Sequence, residues 1–354
     1  MLEGIRVLDL TRLLPGALCT LLLSDLGAEV IKIEDTGSGD YMREIDKNLF
    51  NVLNRGKKSV SINLKSSEGL DLFYKLVKVS HVIVESFRPG VTKKLKIDYE
   101  RVKRINENIV YCSLTGYGID NCLSERSGHD LNYVAITGLL SKEISEKNPQ
   151  VLPTQIADIS GSLFALIGIL AKLKEGKGGF IEVSMTETAL IFNIFNLYSR
   201  NLILNGLYPC YNVYKCRDGY FTLGALEAKF WQNFCNAMGL QELRDKAYDE
   251  ESVKVVQDKL KEMSKEEIEK TLRGKDIPYS FVASIKEVLE SEFFKMRGID
   301  FEEGKINPLV INGSRPHKDG NPPDKGMNTK EILNNLGYSE TEIRKLRDLG
   351  VIHY

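Results

Sequence analysis

Ile5-Arg6-Val7-Leu8-Asp9-Leu10 is followed by the turn Thr11-Arg12-Leu13-Leu14-Pro15-Gly16, an apolar run from Ala17 to Leu26, Gly27, and then Glu29-Val30-Ile31-Lys32-Ile33-Glu34. The two outer runs are short and apolar, as buried strands are, while the middle run has helical length and stops at a glycine. A strand, a helix and a strand in that order form a right-handed parallel crossover. The chain therefore opens as an α/β fold of the Rossmann kind. Its turn lacks the G-x-G-x-x-G glycines, which argues against a nicotinamide dinucleotide in the usual place. Gly37-Ser38-Gly39-Asp40 reads as a mobile loop.

Further strands are expected at Ser59–Asn63, His81–Glu85, Ile109–Leu114 and Phe180–Val183. Ser184 and Glu187 form a capping box that introduces an apolar helix reaching about Leu204. The character changes near Leu207. Short strands at Tyr208–Tyr214 and Gly219–Leu223, a helix carrying the single tryptophan Trp231, charged helical sequence at 249–275 with a box at Ser264 and Glu267, a strand at Pro278–Ser284 and a helix at Ile285–Met296 read as a smaller α+β domain. The division expected is a large domain of 1–206 with 301–354, and a small one of 207–300. Residues 301–327 form a connector, and the tail, with a box at Ser339 and Glu342, is helical and packs back on the large domain.

At 354 residues, 42% hydrophobic and with a formal charge of -1, the chain has ample core and no global pull toward nucleic acid or membrane. No signal peptide is read at the start, and no uninterrupted apolar run approaches the ~20 residues of a membrane span. Six cysteines without a C-x-x-C pair read as reduced thiols of a cytoplasmic protein, with no metal site. Residues 51–104 hold 13 Lys and Arg against 5 Asp and Glu. Asn54-Arg55-Gly56-Lys57-Lys58 and Phe87-Arg88-Pro89-Gly90 lie at strand ends, where basic groups suit the phosphates of a nucleotide-like ligand, although a solvated basic face is the commoner reading of such clusters taken alone. One aromatic in the two clusters is too few for nucleic acid.

Two segments carry chemistry. Gly128-His129-Asp130-Leu131-Asn132-Tyr133 holds the best placed of four histidines, and Gln155-Ile156-Ala157-Asp158 precedes a long apolar helix expected to begin at Ile159. An Asp there serves as an N-cap, and a lone histidine is often a hydrogen-bonded core residue. Together, a histidine and a carboxylate can take a proton from one face of a carbon and return it on the other. The first amides of the helix at Asp158 are the expected donors to an enolate oxygen.

With these residues quoted, the chain resembles the CaiB/BaiF family, that is, the family III CoA-transferases and α-methylacyl-CoA racemases. The resemblance runs almost full length, through Gly4–Asp9, Asp25–Glu34, Asn54–Lys57, Phe87–Gly90, Thr115–Gly118 and Thr329–Leu333. It implies a Rossmann-like large domain built from both chain ends, a small domain between them, an interlocked homodimer, and an acyl-CoA thioester as substrate with no other cofactor. In the racemases a Gly-His-Asp-x-Asn-Tyr segment supplies the catalytic histidine, matched by His129. A carboxylate at the next helix start is matched by Asp158, and a Gly-Ala-x-Glu glutamate supporting the histidine is matched by Glu227. CoA-binding positions are matched at Arg55, at Ile62, Asn63, Leu64 and Lys65, at Arg88, and at Gly128, Asp130 and Tyr133. In the transferases the equivalent of Asp158 is the nucleophile, the histidine is generally missing, and a glycine-rich loop precedes the small-domain strand. His129 and the lack of that loop favour racemisation of a 2-methylacyl-CoA. A transferase working through a mixed anhydride on Asp158 is the alternative. The chain departs from the racemases in Ile159-Ser160 after the carboxylate and in Asp35 where an arginine for the nucleotide often stands, with Arg43 as its substitute. Apolar residues around Ile191–Leu207 read as core, with the wall of the acyl-chain site as the alternative.

Overall fold

The computed structural model describes residues 1–141, 150–199 and 203–354, which divide into two compact units, Met1–Leu197 with Gly298–Tyr354, and Tyr198–Arg297. Both cuts fall ahead of the expected boundaries at 207 and 301.

The larger unit is built on a seven-stranded sheet. Its strands are β1 (Arg6–Leu10), β2 (Glu29–Glu34), β3 (Lys58–Ile62), β4 (Val82–Glu85), β5 (Val110–Thr115) and β6 (Gly179–Ser184), all parallel, and the last, antiparallel strand is Ile352–His353. The period of two in β1 sends Val7 to one face and Leu8 to the other, so each face has its own core. One core packs Val7, Val30, Val84 and Cys112 under the helices Leu13–Asp25 and Ile156–Glu175. The other packs Leu8, Ile31, Val60 and Ile83 under the helix Ser67–Lys78 and the C-terminal helices. Each fully buried Leu, Ile or Val contributes about 1.5–3 kcal/mol. The tail is not wholly helical as expected: Ile352 pairs with Ile62 and closes the sheet edge.

Three local expectations change. The helix after β1 begins at Leu13, inside the expected turn. The loop at 37–40 is tied down rather than loose, because Asp35 Oδ1 accepts from Gly37 and Gly39, and Asp40 is buried. The helix opened by Ser184 breaks after Ile191, where buried Asn193 donates to the Thr137 carbonyl (2.8 Å), and resumes at Ile194. Ile191, Ile194, Leu197 and Leu204 are exposed and so are not the core expected of them.

The helix Ile156–Glu175 is long and apolar enough, by length and composition, to cross a membrane. Here Ala157, Ala165 and Ile169 are buried in the first core, while Ile159, Leu163 and Ile167 form an exposed apolar stripe at i, i+4 and i+8.

The smaller unit is a three-stranded antiparallel sheet, β7 (Tyr211–Cys216), β8 (Gly219–Gly224) and β9 (Tyr279–Phe281), covered by helices. Phe221, Trp231 and Phe234 form its centre, with the indole N–H donating to the Leu243 carbonyl (2.8 Å).

At the carboxyl end of β1 lies a charge cluster without solvent access. Asp9 accepts from Thr11 N–H (2.9 Å), Thr20 Oγ1 (2.7 Å) and Lys57 Nζ (3.2 Å). Burial alone would raise the Asp9 pKa, but Lys32 and Lys57 outweigh it and hold it down to about 2. Lys32 pairs with Asp40 (2.8 Å) and donates to the Thr11 carbonyl (2.9 Å). Removing one partner of such a cluster strands a buried charge. Lys57→Met should therefore lower unfolding stability by about 3–5 kcal/mol in a urea titration; a change below about 1 kcal/mol would show that the cluster is not sealed.

Candidate active site

β1 has β2 on one side and β4 on the other, so the connections diverge between β1 and β4. Parallel sheets open a crevice at the carboxyl ends of such strands. A cavity of about 550 Å³ lies there, walled by Arg12 and Leu13 after β1, Ser86 and Arg88 after β4, and Thr115 at the end of β5. Arg12 N–H donates to Ser86 Oγ (3.3 Å), linking the two strand ends. A glycine is required at Gly16, since a Cβ there would fall 2.2 Å from the Thr11 Cβ.

His129 and Asp158 both line this cavity. Exposed His129 caps the short helix Asp130–Ala135, and its backbone N–H donates to Asn132 Oδ1 (3.1 Å). Tyr133 packs against Gly116 and Gly128, meets Tyr117 edge to face at 5.0 Å, and donates its hydroxyl to the Gly128 carbonyl. Tyr133 thus braces the loop that presents His129.

Asp158 is not the N-cap. The helix starts at Ile156 with Gln155 as its cap, which puts Asp158 third in the first turn. Its backbone N–H donates to Asp130 Oδ1 (3.0 Å), and its carboxylate accepts from Gln155 Nε2 (3.1 Å). One helix turn on, Ser162 Oγ donates to the carbonyls of Pro15 (2.6 Å) and Asp158 (2.8 Å), fastening the Asp158 helix to the segment after β1. The Asp158 amide, one of the expected oxyanion donors, is therefore taken by Asp130, and Ile156 and Ala157 are not among the residues that wall this cavity. Burial first, and then the negative charge of Asp130, push Asp158 up to about 7. A carboxyl poised there holds or releases a proton at neutral pH with similar ease.

A second cavity, of about 530 Å³, adjoins the first. It is walled by Leu14, Met42, Ile45, Leu131, Val134 and Leu152. The residues common to both cavities are Leu13, His129 and Asp158. In the second cavity the charged side chains among the described residues are Asp130 and Asp158, both acidic. The first carries three arginines. Arg12 pairs with Asp35 (2.6 Å), so Asp35 faces a cation rather than replacing one. Arg88 and Arg126 are exposed and make no ion pair among the described residues. Arg126 was not singled out from the sequence, where Glu125 beside it cancels the charge; its two-residue spacing from Gly128 was the available signal.

The other expected CoA residues are not brought to the cavities. Arg55 is buried, its guanidinium paired with Asp25 (2.7 and 3.0 Å) and donating to the Gly304 carbonyl, so it is unavailable to a phosphate. Ile62 is core, the Asn63 amide donates to the Val351 carbonyl (2.8 Å), and Leu64 packs on the second core. Lys65 is exposed beyond β3. Arg43 is held by Glu34 (2.7 and 2.9 Å) and so does not stand in for the arginine missing at position 35. Glu227 belongs to the smaller unit, where it is exposed and precedes the helix Ala228–Met238.

Residues 2–323 match the family model described as CoA-transferase family III. The chain belongs to this CoA-transferase and racemase superfamily of enzymes, with acyl-CoA chemistry as its common ground. Human α-methylacyl-CoA racemase is 32% identical over 380 residues, spanning 99% of this chain and 97% of that one. Mouse succinyl-CoA:glutarate CoA-transferase is 31% identical over 398 residues, spanning 99% and 90%. A solved structure, that of a hypothetical protein from Mycobacterium tuberculosis, superposes with a TM-score of 0.84 at 27% identity, covering 94% of this chain and 99% of that one.

Asp158 has a thermodynamic signature. Its unfolded carboxyl titrates near 3.8 and its folded one near 7, so ionisation costs folding stability, progressively from pH 4 to 7 and in full above. Asp158→Asn, which copies the protonated form, should raise stability at pH 8 by up to about 4 kcal/mol and lose that gain at pH 4. Asp130→Asn keeps an acceptor for the Asp158 amide but removes the charge, and should move the carbon-13 NMR titration of Asp158 toward acid. Unfolding curves with no pH-dependent gain would show that Asp158 is solvated.

Proposed function

We propose that this chain interconverts (R)- and (S)-2-methylacyl-CoA by 1,1-proton transfer through an enolate. The observation that carries the reading is the shared wall: His129 and Asp158 stand where a basic cavity meets an apolar one. The thioester spans that junction, with CoA on the arginine side and the acyl chain on the leucine side. His129 takes the α-proton from one enantiomer, the C–H pair becoming the enolate π bond, and protonated Asp158 delivers a proton to the opposite face. In the reverse direction the Asp158 carboxylate is the base and the imidazolium is the acid. A carboxyl near 7 suits both duties. Support of the imidazolium by Glu227, the role the resemblance implies, belongs to the same proposal. Arg88 and Arg126 bind phosphate, and Lys65 serves the distal nucleotide, two strand spacings from β1, or about 10 Å.

The lining also weighs against the alternative. A transferase acting on succinate or glutarate must hold a second carboxylate, which needs a cation. The described wall of the apolar cavity holds no lysine or arginine, and its one basic group, His129, is the base of the proton transfer. The transferase reading is favoured by a relative of that activity at essentially the same identity as the racemase. In it, Asp158 attacks the thioester carbonyl, the C–S bond breaks, CoA thiolate leaves, and the acyl group rests on Asp158 as a mixed anhydride.

Proton NMR of one enantiomer of a 2-methylacyl-CoA in deuterium oxide separates the two. Loss of the α-proton signal with appearance of the other enantiomer is expected, without any acceptor acid. His129→Ala should slow exchange from one enantiomer by about 10²–10⁴-fold more than from the other. Equal loss from both would defeat the two-base assignment, and CoA migration only on adding a carboxylic acid would make Asp158 a nucleophile.

We further propose a homodimer. The exposed stripe Ile159, Leu163 and Ile167, with Leu190, Ile191 and Phe192, is apolar surface of the sort a partner covers. Sedimentation velocity should give twice the chain mass, and Ile167→Glu should shift the population toward monomer; a monomer for the unaltered chain would refute this.

A further inference from the structure

Leu13 is the third residue of the shared wall, and its backbone is unusual. Its φ is +62°, in the left-handed region that Cβ sterics disfavour for a leucine. The surroundings impose it. Leu13 N–H donates to Asp40 Oδ1 (3.2 Å), Asp40 is paired with Lys32, and Lys32 Nζ grips the carbonyl of Thr11 two residues earlier. Arg12 between them is tied to Ser86. Three consecutive residues are therefore held from three directions. Conformations of this cost persist where the structure over-determines them, and they cluster at functional sites.

Resting on the proton-transfer reading above, the stereochemistry shows what the third wall must face. When the α-carbon loses its proton it becomes planar, with His129 and Asp158 on opposite faces. Its three remaining bonds lie in the plane between them, about 120° apart. One runs to the thioester carbonyl, in the arginine-lined cavity, and one to the acyl chain, in the apolar cavity. The third carries the α-substituent, and Leu13 is the remaining residue shared by both cavities.

We propose that Leu13 is the specificity residue for the α-substituent: held left-handed by the Asp40–Lys32 pair, it leaves room for a methyl and refuses larger groups. An isobutyl side chain also gives that methyl an apolar neighbour. A glycine would relieve the backbone at this position but would open the wall, so the strained leucine serves discrimination at the expense of stability.

The test compares the unaltered chain with Leu13→Ala and Leu13→Gly. The kcat/KM for α-proton exchange is measured with 2-methyl- and 2-ethylacyl-CoA of equal chain length, and the Kd of both by calorimetry. One methylene in an apolar pocket is worth about 10–200-fold. The 2-ethyl to 2-methyl ratio should thus rise by about tenfold or more in both variants, in kcat/KM and in Kd. A ratio unchanged within about twofold of the unaltered chain overturns the proposal. Thermal unfolding supplies the second arm: Leu13→Gly should melt above Leu13→Ala, and the reverse order overturns the left-handed tether. If the unaltered chain exchanges no α-proton from either compound, the racemase reading falls, and the Kd ratio still decides whether Leu13 selects the substituent.

Discussion

The contact on which the rest depends is the ion pair of Lys32 with Asp40, joined through Thr11 to Asp9 and Lys57. None of these charges reaches water. Taking an ion out of water costs several kcal/mol, which is recovered only if each partner stays in place. The cluster therefore behaves as one piece. It spans the carboxyl ends of β1 and β2 and the segment before β3, and it dictates the path of Thr11 to Leu13. That path shapes the crevice at which the arginines, the histidine and the carboxylate meet.

His129 and Asp158 are delivered to this crevice by different means. The histidine rides on a short helix braced by an aromatic ring lying on two glycines. The carboxylate rides on a long core helix whose first turns are fastened at Asp130 and at Pro15. Rigid supports of this kind hold both side chains at the cavity wall. They also bury Asp158 beside a second acid, which opposes its ionisation. The site thus spends folding stability on a carboxyl that can change state at neutral pH, as catalytic groups commonly require.

Relatives that move CoA and relatives that invert a carbon lie at similar distances from this chain. The physics explains why one backbone can host both. A buried aspartate at a helix start can serve as base or as nucleophile, and what differs is the company it keeps. Here that company is an imidazole on the same shared wall, an apolar cavity whose described wall holds no lysine or arginine, and a leucine forced against its backbone preference.

The parallel strands were legible because buried strands must be apolar along their length, and their order and crossover follow from chirality. The place of His129 and Asp158 at the cavity was legible because both sit in segments that the family resemblance picks out. Element ends were less so: Asp158 looked like a cap until Gln155 took that place, and the helix after Ser184 looked continuous until buried Asn193 broke it. Local sequence is blind to partners far along the chain. It could not show that Arg55 is consumed by Asp25, that Arg43 is consumed by Glu34, or that Asp35 faces Arg12. Nor could it show that Asp130 acts on Asp158, 28 residues on, or that Asp40 turns Leu13 into the wall, 27 residues back. The sequence by itself determined the α/β class, the family and the two segments that bring His129 and Asp158 to the crevice, since these depend on periodicity and on local motifs. Which charges are free to meet a ligand, and what shares the cavity wall with His129 and Asp158, were decided only by tertiary structure, because a charge is available or spent according to its neighbours in space.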